Sequence, residues 1–369
     1  MKAIHPDPSI QLLVRLLRRD AAGVERALSA SSNALDELAS AAVEGGLAIV
    51  LQRTLDDRAL PQEVSGEHRR LLARRRERHT ERCAALEQGL VEIARQFNAE
   101  DVPFILLKGP YLGSRFYGDV RGREYRDLDI LVRRADRRRA FDLLEQAGFA
   151  RRSRVLVSEA LTTFFVHAFD FVAGRVSLDL HWGLSRHPSV HIDERDLWAR
   201  RTTFRLDNRP YDVLSDDHEV MLQALALLRD IERGRAQMKN FVDLIQLVAS
   251  IDATMRWDAL LAADRSSGTR GPLVNVLSLC LDVADAHDLA PRLAAALEAH
   301  RGRRVQSLTP AIAGRAAAAA PGYANRLWAA RSYDTTLATW LGWWFVSLPF
   351  RRAVHGWPRP APPPATPTS

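Results

Sequence analysis

Two cysteines in 369 residues, Cys83 and Cys280, leave neither a disulfide framework nor a zinc-like ligand spacing to read. That scarcity suits a reducing cytoplasm, which is the expected location. No uncharged run is long enough for a comfortable membrane span, and residues 1–10 lack the apolar core of a secretory signal, so neither is expected. Lysine is far scarcer than arginine. The excess of cations, 52 Lys plus Arg against 45 Asp plus Glu, gives a formal charge of +7 and favours anionic partners without choosing among them. With no recognised base-reading motif, that excess supports only nonspecific attraction to nucleic acid.

The remainder is ordinary for a globular protein, with 47% hydrophobic and 26% charged residues in a chain long enough for two or three compact units. Residues 1–98 read as an N-terminal helical region, including one long arginine-studded helix from about Ser65 to Asn98 and a resumed helical pattern from Leu35 to Leu51. Residues 99–214 alternate strand and helix signals, and 215–332 return to helical spacing after a Ser215 cap. An aromatic apolar segment occupies 333–356, and a Pro-rich stretch, read as a disordered tail, occupies 357–369.

The informative stretch is Phe104 to Val132. Phe104-Ile105-Leu106-Leu107 reads as a buried strand running into Lys108-Gly109-Pro110, a turn whose proline suits the first turn of a helix. A helix N-terminus beside Lys108 offers free N–H groups and positive charge, which suits a phosphate. In Asp127-Leu128-Asp129-Ile130-Leu131-Val132, strand alternation sends Leu128, Ile130 and Val132 to one face and Asp127, Asp129 and Leu131 to the other. Neighbouring buried carboxylates repel unless a cation or a proton lies between them, so a divalent metal is the expected guest. A third carboxylate, Asp179, sits on the polar face of Val176 to His181, behind a strand-like run from Thr163 to Val172 and an Ala173-Gly174 turn. Asp136 to Gly148 reads as a covering helix stopped by its glycine.

A strand, a glycine turn, a helix, Asp-x-Asp on a second strand and one more aspartate on a third resemble the DNA polymerase β-like nucleotidyltransferase superfamily. Within it, the order Leu107-Lys108-Gly109, Arg123, Asp127 to Val132, Ala147-Gly148-Phe149 and Asp179-Leu180-His181-Trp182 is similar to a group of uncharacterised bacterial nucleotidyltransferases. The motifs cover roughly residues 99–185. The wider superfamily has Gly-Ser at the turn, whereas this chain has Lys108-Gly109, as the narrower group does; Gly113-Ser114 falls inside the expected helix and does not inherit that role.

The resemblance implies an α+β fold, a small mixed β-sheet core flanked by N- and C-terminal helical regions. It implies transfer of a nucleoside monophosphate from a nucleoside triphosphate to a hydroxyl or phosphate acceptor, with a small molecule, peptide or protein as acceptor and nucleic acid not required. Asp127, Asp129 and Asp179 would hold two Mg²⁺ ions, which Mn²⁺ could replace, and Asp179 could also position or deprotonate the acceptor. Lys108, Arg123 and the close-approaching backbone of Gly109 would meet the triphosphate, with His181 on the same face as Asp179. Lys239 and Asp243, in a helix resembling one seen after the catalytic domain of the group, read either as an intrahelical ion pair or as Lys239 returning onto the triphosphate.

Two other functions fit parts of the pattern. Metal-dependent glycosyltransferases also use Asp-x-Asp, but they ordinarily begin with alternating strands and helices, unlike residues 9–98 here. A catalytically silent scaffold could keep the fold, though the chain retains all three aspartates and Lys108. Thr335 to Phe350, uncharged and rich in tryptophan before Arg351-Arg352, suits either a helix packed on the protein or peripheral contact of 335–352 with the inner face of a membrane.

Overall fold

Helix leads the chain because its apolar residues recur at helical spacing and polar side chains close the ends. In the computed structural model, which describes residues 7–57, 60, 63–152, 162–163, 166–185, 187, 190–233, 236–262 and 268–300, the Asp7 carboxylate caps α1 (Pro8–Arg18) by accepting from the N–H groups of Ser9 and Ile10. Helices α2 (Ala21–Ala30), α3 (Ala34–Gly45) and α4 (Ala48–Asp56) follow. The stretch read as continuous from Leu35 to Leu51 is broken by Gly46, whose φ of +77° ends α3 in the left-handed conformation. The long helix falls where expected, as α5 (Gly66–Ala99) with Ser65 as its cap.

A five-stranded mixed sheet is the centre of the molecule. It comprises β1 (Phe104–Leu107), β2 (Leu128–Val132), β3 (Ala150–Arg151), β4 (Ala168–Ala173) and β5 (Val176–His181), in the order β1-β2-β5-β4-β3. Only β2 and β5 run parallel among the described pairs. Helix α6 (Gly109–Tyr117) joins β1 to β2, and α7 (Arg137–Gln146) follows β2, capped at the far end by Gly148. Strand β4 starts later than the pattern suggested: Thr162 and Thr163 are helical, and positions 164–165 lie outside the described residues. The hairpin turn is likewise shifted by one, to Gly174-Arg175.

Alternation sorts the sheet faces as expected. Leu128, Ile130, Val132, Leu178 and Leu180 point into a core shared with Phe141 and Leu144 of α7 and with Cys83, Leu86, Leu90 and Phe97 of α5. Each such fully buried leucine contributes roughly 1.5–3 kcal/mol relative to exposure. The opposite face carries Asp129 and Asp179 at one end. Beside them Ile105, Leu107 and Leu131 pack under Leu197 and Trp198 of α8 (Glu194–Ala199) and Leu222 of α9 (Asp216–Glu232). The two-stranded hairpin β6 (Thr202–Leu206) and β7 (Arg209–Val213) links α8 to α9.

The N- and C-terminal helical regions, separate in the sequence reading, share one core. Leu12, Leu13, Leu16, Leu38 and Leu51 pack with Leu228 of α9, Leu244 of α10 (Met238–Ile251) and Leu277 of α12 (Arg270–Ala284). Helices α11 (Trp257–Leu261) and α13 (Pro291–His300) complete that layer. Both cysteines are buried and unbridged. No helix among the described residues is long and apolar enough to cross a membrane. The aromatic segment 333–356 and the tail 357–369 lie outside the described residues.

Gly113 lies inside α6, as its spacing indicated, and serves packing: a Cβ there would stand 2.7 Å from the carbonyl oxygen of Val120 and 2.9 Å from that of Asp119. Gly113→Ala must therefore push α6 from the 119–120 backbone, with an expected loss of about 1–3 kcal/mol in chemical denaturation. An unchanged midpoint would show that the loop yields freely.

Candidate functional site

The strand-to-helix turn after β1 is strained. Lys108, the residue before α6, has φ 43° and ψ −135°, a region costly for a non-glycine residue, and Gly109 follows at φ 39°. Pro110 then begins the helix, so its missing N–H costs nothing. This turn sets the N-terminus of α6 and the Lys108 charge beside the end of β2 where the aspartates stand.

Register brings the carboxylates together. Leu107 of β1 is opposite Asp129 of β2, Asp129 is opposite Asp179 of β5, and Asp179 is opposite Asp170 of β4. All lie in one row across the sheet, and side chains in such a row share a face. His181 Nε2 donates to Asp129 Oδ1 at 3.0 Å. Ligand atoms from Asp129, Asp179 and His181 lie within 4.8 Å of one another. Asp127, one residue before β2, is outside that closest trio, but it feels the charge of Asp129 and its own charge acts on Asp179.

The electrostatics separate the three aspartates. Burial works against ionising Asp129, but the charge of Lys108, the His181 hydrogen bond and the charge of Arg229 outweigh it and hold the carboxyl at about 2. Burial, then the Asp129 charge, pushes Asp127 up. Asp179 is raised well above the carboxylate range by burial, by Asp129 and Asp127, and by Asp170, with which it shares a hydrogen bond. An ionised Asp129 that raises the proton affinity of both Asp127 and Asp179 beside it forms a site that a divalent cation would relieve.

Arg123 is placed differently from expectation. Its guanidinium, 5% exposed, donates through Nε to Asp243 Oδ2 at 2.7 Å, with Nη2 also 2.7 Å from that oxygen, and through Nη1 to the Glu124 carbonyl at 3.3 Å. Tyr117 OH donates to the other Asp243 oxygen at 2.8 Å. The fork read as a triphosphate clamp is thus closed on α10. Asp243 is correspondingly absent from an intrahelical pair with Lys239, which reaches no carboxylate at ion-pair distance among the described residues. Lys239 instead lies over Gly46, where a Cβ would meet its Cδ at 2.9 Å. Burial and the Arg123 charge lower its amine to about 8, against the pull of Asp243, Asp127 and Glu124.

Glu124 completes the surroundings, accepting from the Ala48 N–H at 3.2 Å and from Arg75 Nε at 2.8 Å. The site is therefore assembled from the sheet, α6, α10 and the start of α4. Asp170, Arg229 and Tyr117 were not singled out by the sequence. Asp170 alternates with the buried Phe169 and Phe171, a signal that could have placed it on the face of Asp179; Arg229 and Tyr117 carry no such local signal.

Among solved structures, that of an antigenic nucleotidyltransferase-like protein from Paracoccidioides brasiliensis is similar at 14% identity, over 58% of this chain and 92% of that one, with a TM-score of 0.34. No curated protein matches the chain. Residues 31–282 match the family described as uncharacterised nucleotidyltransferase, a span well over half of the sequence that contains every strand and site residue described above, and the chain belongs to that family.

Proposed function

We propose that the protein transfers a nucleoside monophosphate from a nucleoside triphosphate to an acceptor hydroxyl or phosphate, in a reaction dependent on Mg²⁺. The observation that carries this reading is the in-register Asp129–Asp179 pair on parallel strands, with Asp127 and His181 beside it and Lys108 at the turn. A donor set dominated by carboxylate oxygens suits a hard cation, and Mn²⁺ is compatible with the imidazole. Asp127, Asp129 and Asp179 would hold two ions, with His181 orienting Asp129 and within ligand reach. When bound, they would supply polarisation of the phosphoryl oxygens and charge neutralisation on the leaving pyrophosphate.

The chain's own groups do the rest. Lys108, the Gly109 backbone and the first N–H groups of α6 bind the triphosphate, and Lys239 adds a second ammonium from α10. Arg123 acts through Asp243, fixing α10 and hence Lys239, rather than by touching phosphate. Asp179 orients the acceptor and takes its proton. The acceptor oxygen bonds to the α-phosphorus, the bond from that phosphorus to the α,β-bridging oxygen breaks, and pyrophosphate leaves with the electron pair.

Incubation with Mg²⁺, each ribonucleoside triphosphate labelled at the α-phosphate, and a metabolite extract tests this directly. Label on a new species with release of pyrophosphate is the expected result. Absence of triphosphate binding and turnover, with label transferred instead from a sugar nucleotide, would favour the glycosyltransferase reading.

Lys239 gives the reaction a pH signature. Its ammonium is present below about pH 8 and lost above it. Because kcat/KM reports the free enzyme, kcat/KM for the triphosphate should fall above pH 8, and Lys239→Arg should flatten that fall. An identical alkaline limb in wild type and variant would remove Lys239 from the phosphate site.

A further inference from the structure

Arg123 offers the site no open guanidinium, because its fork is spent on Asp243 and on the Glu124 carbonyl. A second arginine stands near the carboxylates with its donors unspent. Helix α9 lies over the polar face of the sheet, since Leu222 packs with Leu107 and Leu131, and Leu107 is the residue opposite Asp129 in the register. Arg229 follows Leu222 by seven residues, within about 20° of two full turns, so it lies on the same line of α9, roughly 10 Å further along. Its charge reaches the site: together with Lys108 and the His181 hydrogen bond it outweighs the burial of Asp129. Helix α10 joins α9 at this end, where Asn240 Nδ2 donates to Asp230 Oδ2 at 3.2 Å. Arg229 and Lys239 are the chain neighbours of those two residues, and Lys239 acts on Asp127 as Arg229 acts on Asp129.

The donors of Arg229 set it apart. A guanidinium carries its N–H groups in a planar fork matched to phosphate oxygens. Among the described residues Arg229 makes no hydrogen bond; its one ion contact is with the adjacent Asp230, with Nε 3.6 Å from Oδ1, and that Nε is buried without a partner. Asp230 is itself engaged by Asn240. The Arg229 side chain is 32% exposed, so a ligand can reach it, whereas Arg123 is buried. Buried donors are ordinarily paired, so an unpaired fork beside a row of carboxyls suited to a metal marks the place of an anion that arrives with the metal.

We propose that Arg229 is the arginine of the phosphate site, its fork taking two non-bridging oxygens of the triphosphate in the role that Arg123 is placed too deep to fill. This rests on the nucleotidyl-transfer reading and adds a phosphate-binding residue to it. Lys108 and the α6 N-terminus hold the phosphates from the sheet, and the joined ends of α9 and α10 supply Arg229 and Lys239 from the helical layer. As the acceptor oxygen bonds to the α-phosphorus and the bond to the α,β-bridging oxygen breaks, these cations offset the charge that pyrophosphate carries away, and Arg229 keeps its proton throughout.

The test uses the full chain and takes two measurements separately: equilibrium binding of each α-labelled ribonucleoside triphosphate with Mg²⁺, and transfer of that label to a metabolite extract. Arg229→Met should weaken triphosphate binding about tenfold to a hundredfold, the worth of one or two charge-assisted hydrogen bonds. Arg229→Lys, which keeps the charge and loses the fork, should fall between that variant and wild type, and it decides the question if Arg229→Met does not fold. The rise in melting temperature caused by Mn²⁺ alone should be undiminished in Arg229→Met, because removing a cation does not weaken a cation site. An arginine that served only to keep Asp129 ionised would give the reverse, a smaller Mn²⁺ shift with triphosphate binding intact. Wild-type affinity for triphosphate in either folded variant overturns the assignment. A wild type that binds triphosphate and transfers no label overturns nucleotidyl transfer, and the binding data still decide Arg229; a wild type that binds no triphosphate overturns both.

Discussion

Asp129→Asn is expected to lower nucleotidyl transfer on the order of a thousandfold, the scale of losing a preorganised charge at the reacting centre. The argument is positional. Asp129 is the carboxylate held most firmly ionised, by Lys108, His181 and Arg229, and it faces Asp179 across a parallel pair whose register cannot slip without turning both side chains away. Asparagine keeps the shape and can still meet His181, so the fold should persist and circular dichroism should be unchanged. A second readout separates metal binding from catalysis. Mg²⁺ or Mn²⁺ should raise the melting temperature of wild type by mass action on the folded state and have little effect on the variant. Turnover within tenfold of wild type, together with an intact metal-dependent shift in melting, would falsify the proposed cation site.

Asp243→Leu should destabilise the protein by about 3–5 kcal/mol, the cost of leaving a buried guanidinium without its counter-ion. Arg123 is 5% exposed and Asp243 1%, so neither solvent nor screening rescues the orphaned charge. The Tyr117 hydroxyl would lose its partner in the same step. Removing both charges in Arg123→Met/Asp243→Leu should restore most of the loss, since replacing a whole buried pair by apolar groups is often neutral. Urea denaturation of the two single variants and the double variant closes the cycle. Simple additivity of the single losses would mean that the pair is not coupled, against the geometry. The restored double variant should still have a raised KM for triphosphate if α10 carries Lys239 to the phosphates.

The difference between what the sequence disclosed and what it concealed follows from the range of the physics. Alternation in Leu128 to Val132 and in Val176 to His181 is local, so it places Asp129 and Asp179 on polar faces without knowledge of the fold. The limits of α5 and α7 were readable for the same reason, from Ser65 at one start and Gly148 after the other end. The partner of Arg123 was not, because Asp243 lies 120 residues away and the local signal at Asp243 pointed to Lys239 one turn earlier. Asp127 and Asp129 looked equivalent as Asp-x-Asp, yet only Asp129 lies in the row with Asp179, since β2 begins at Leu128. That helices of the first and last regions share one core was not readable, because spacing shows that a helix has an apolar face and is silent on which distant face covers it.

The whole chain contains three lysines, Lys2, Lys108 and Lys239, and two of them converge on the carboxylate site. Lys239, with its amine lowered to about 8, is the one that is substantially uncharged, and so nucleophilic, in mildly alkaline buffer. An amine-selective reagent would consequently act on this protein almost as an active-site label. With arginine carrying the rest of the positive charge, acylation at pH 8 should fall on few amines, and protection of Lys108 and Lys239 by a triphosphate can be read by peptide mapping against Lys2 as an internal standard.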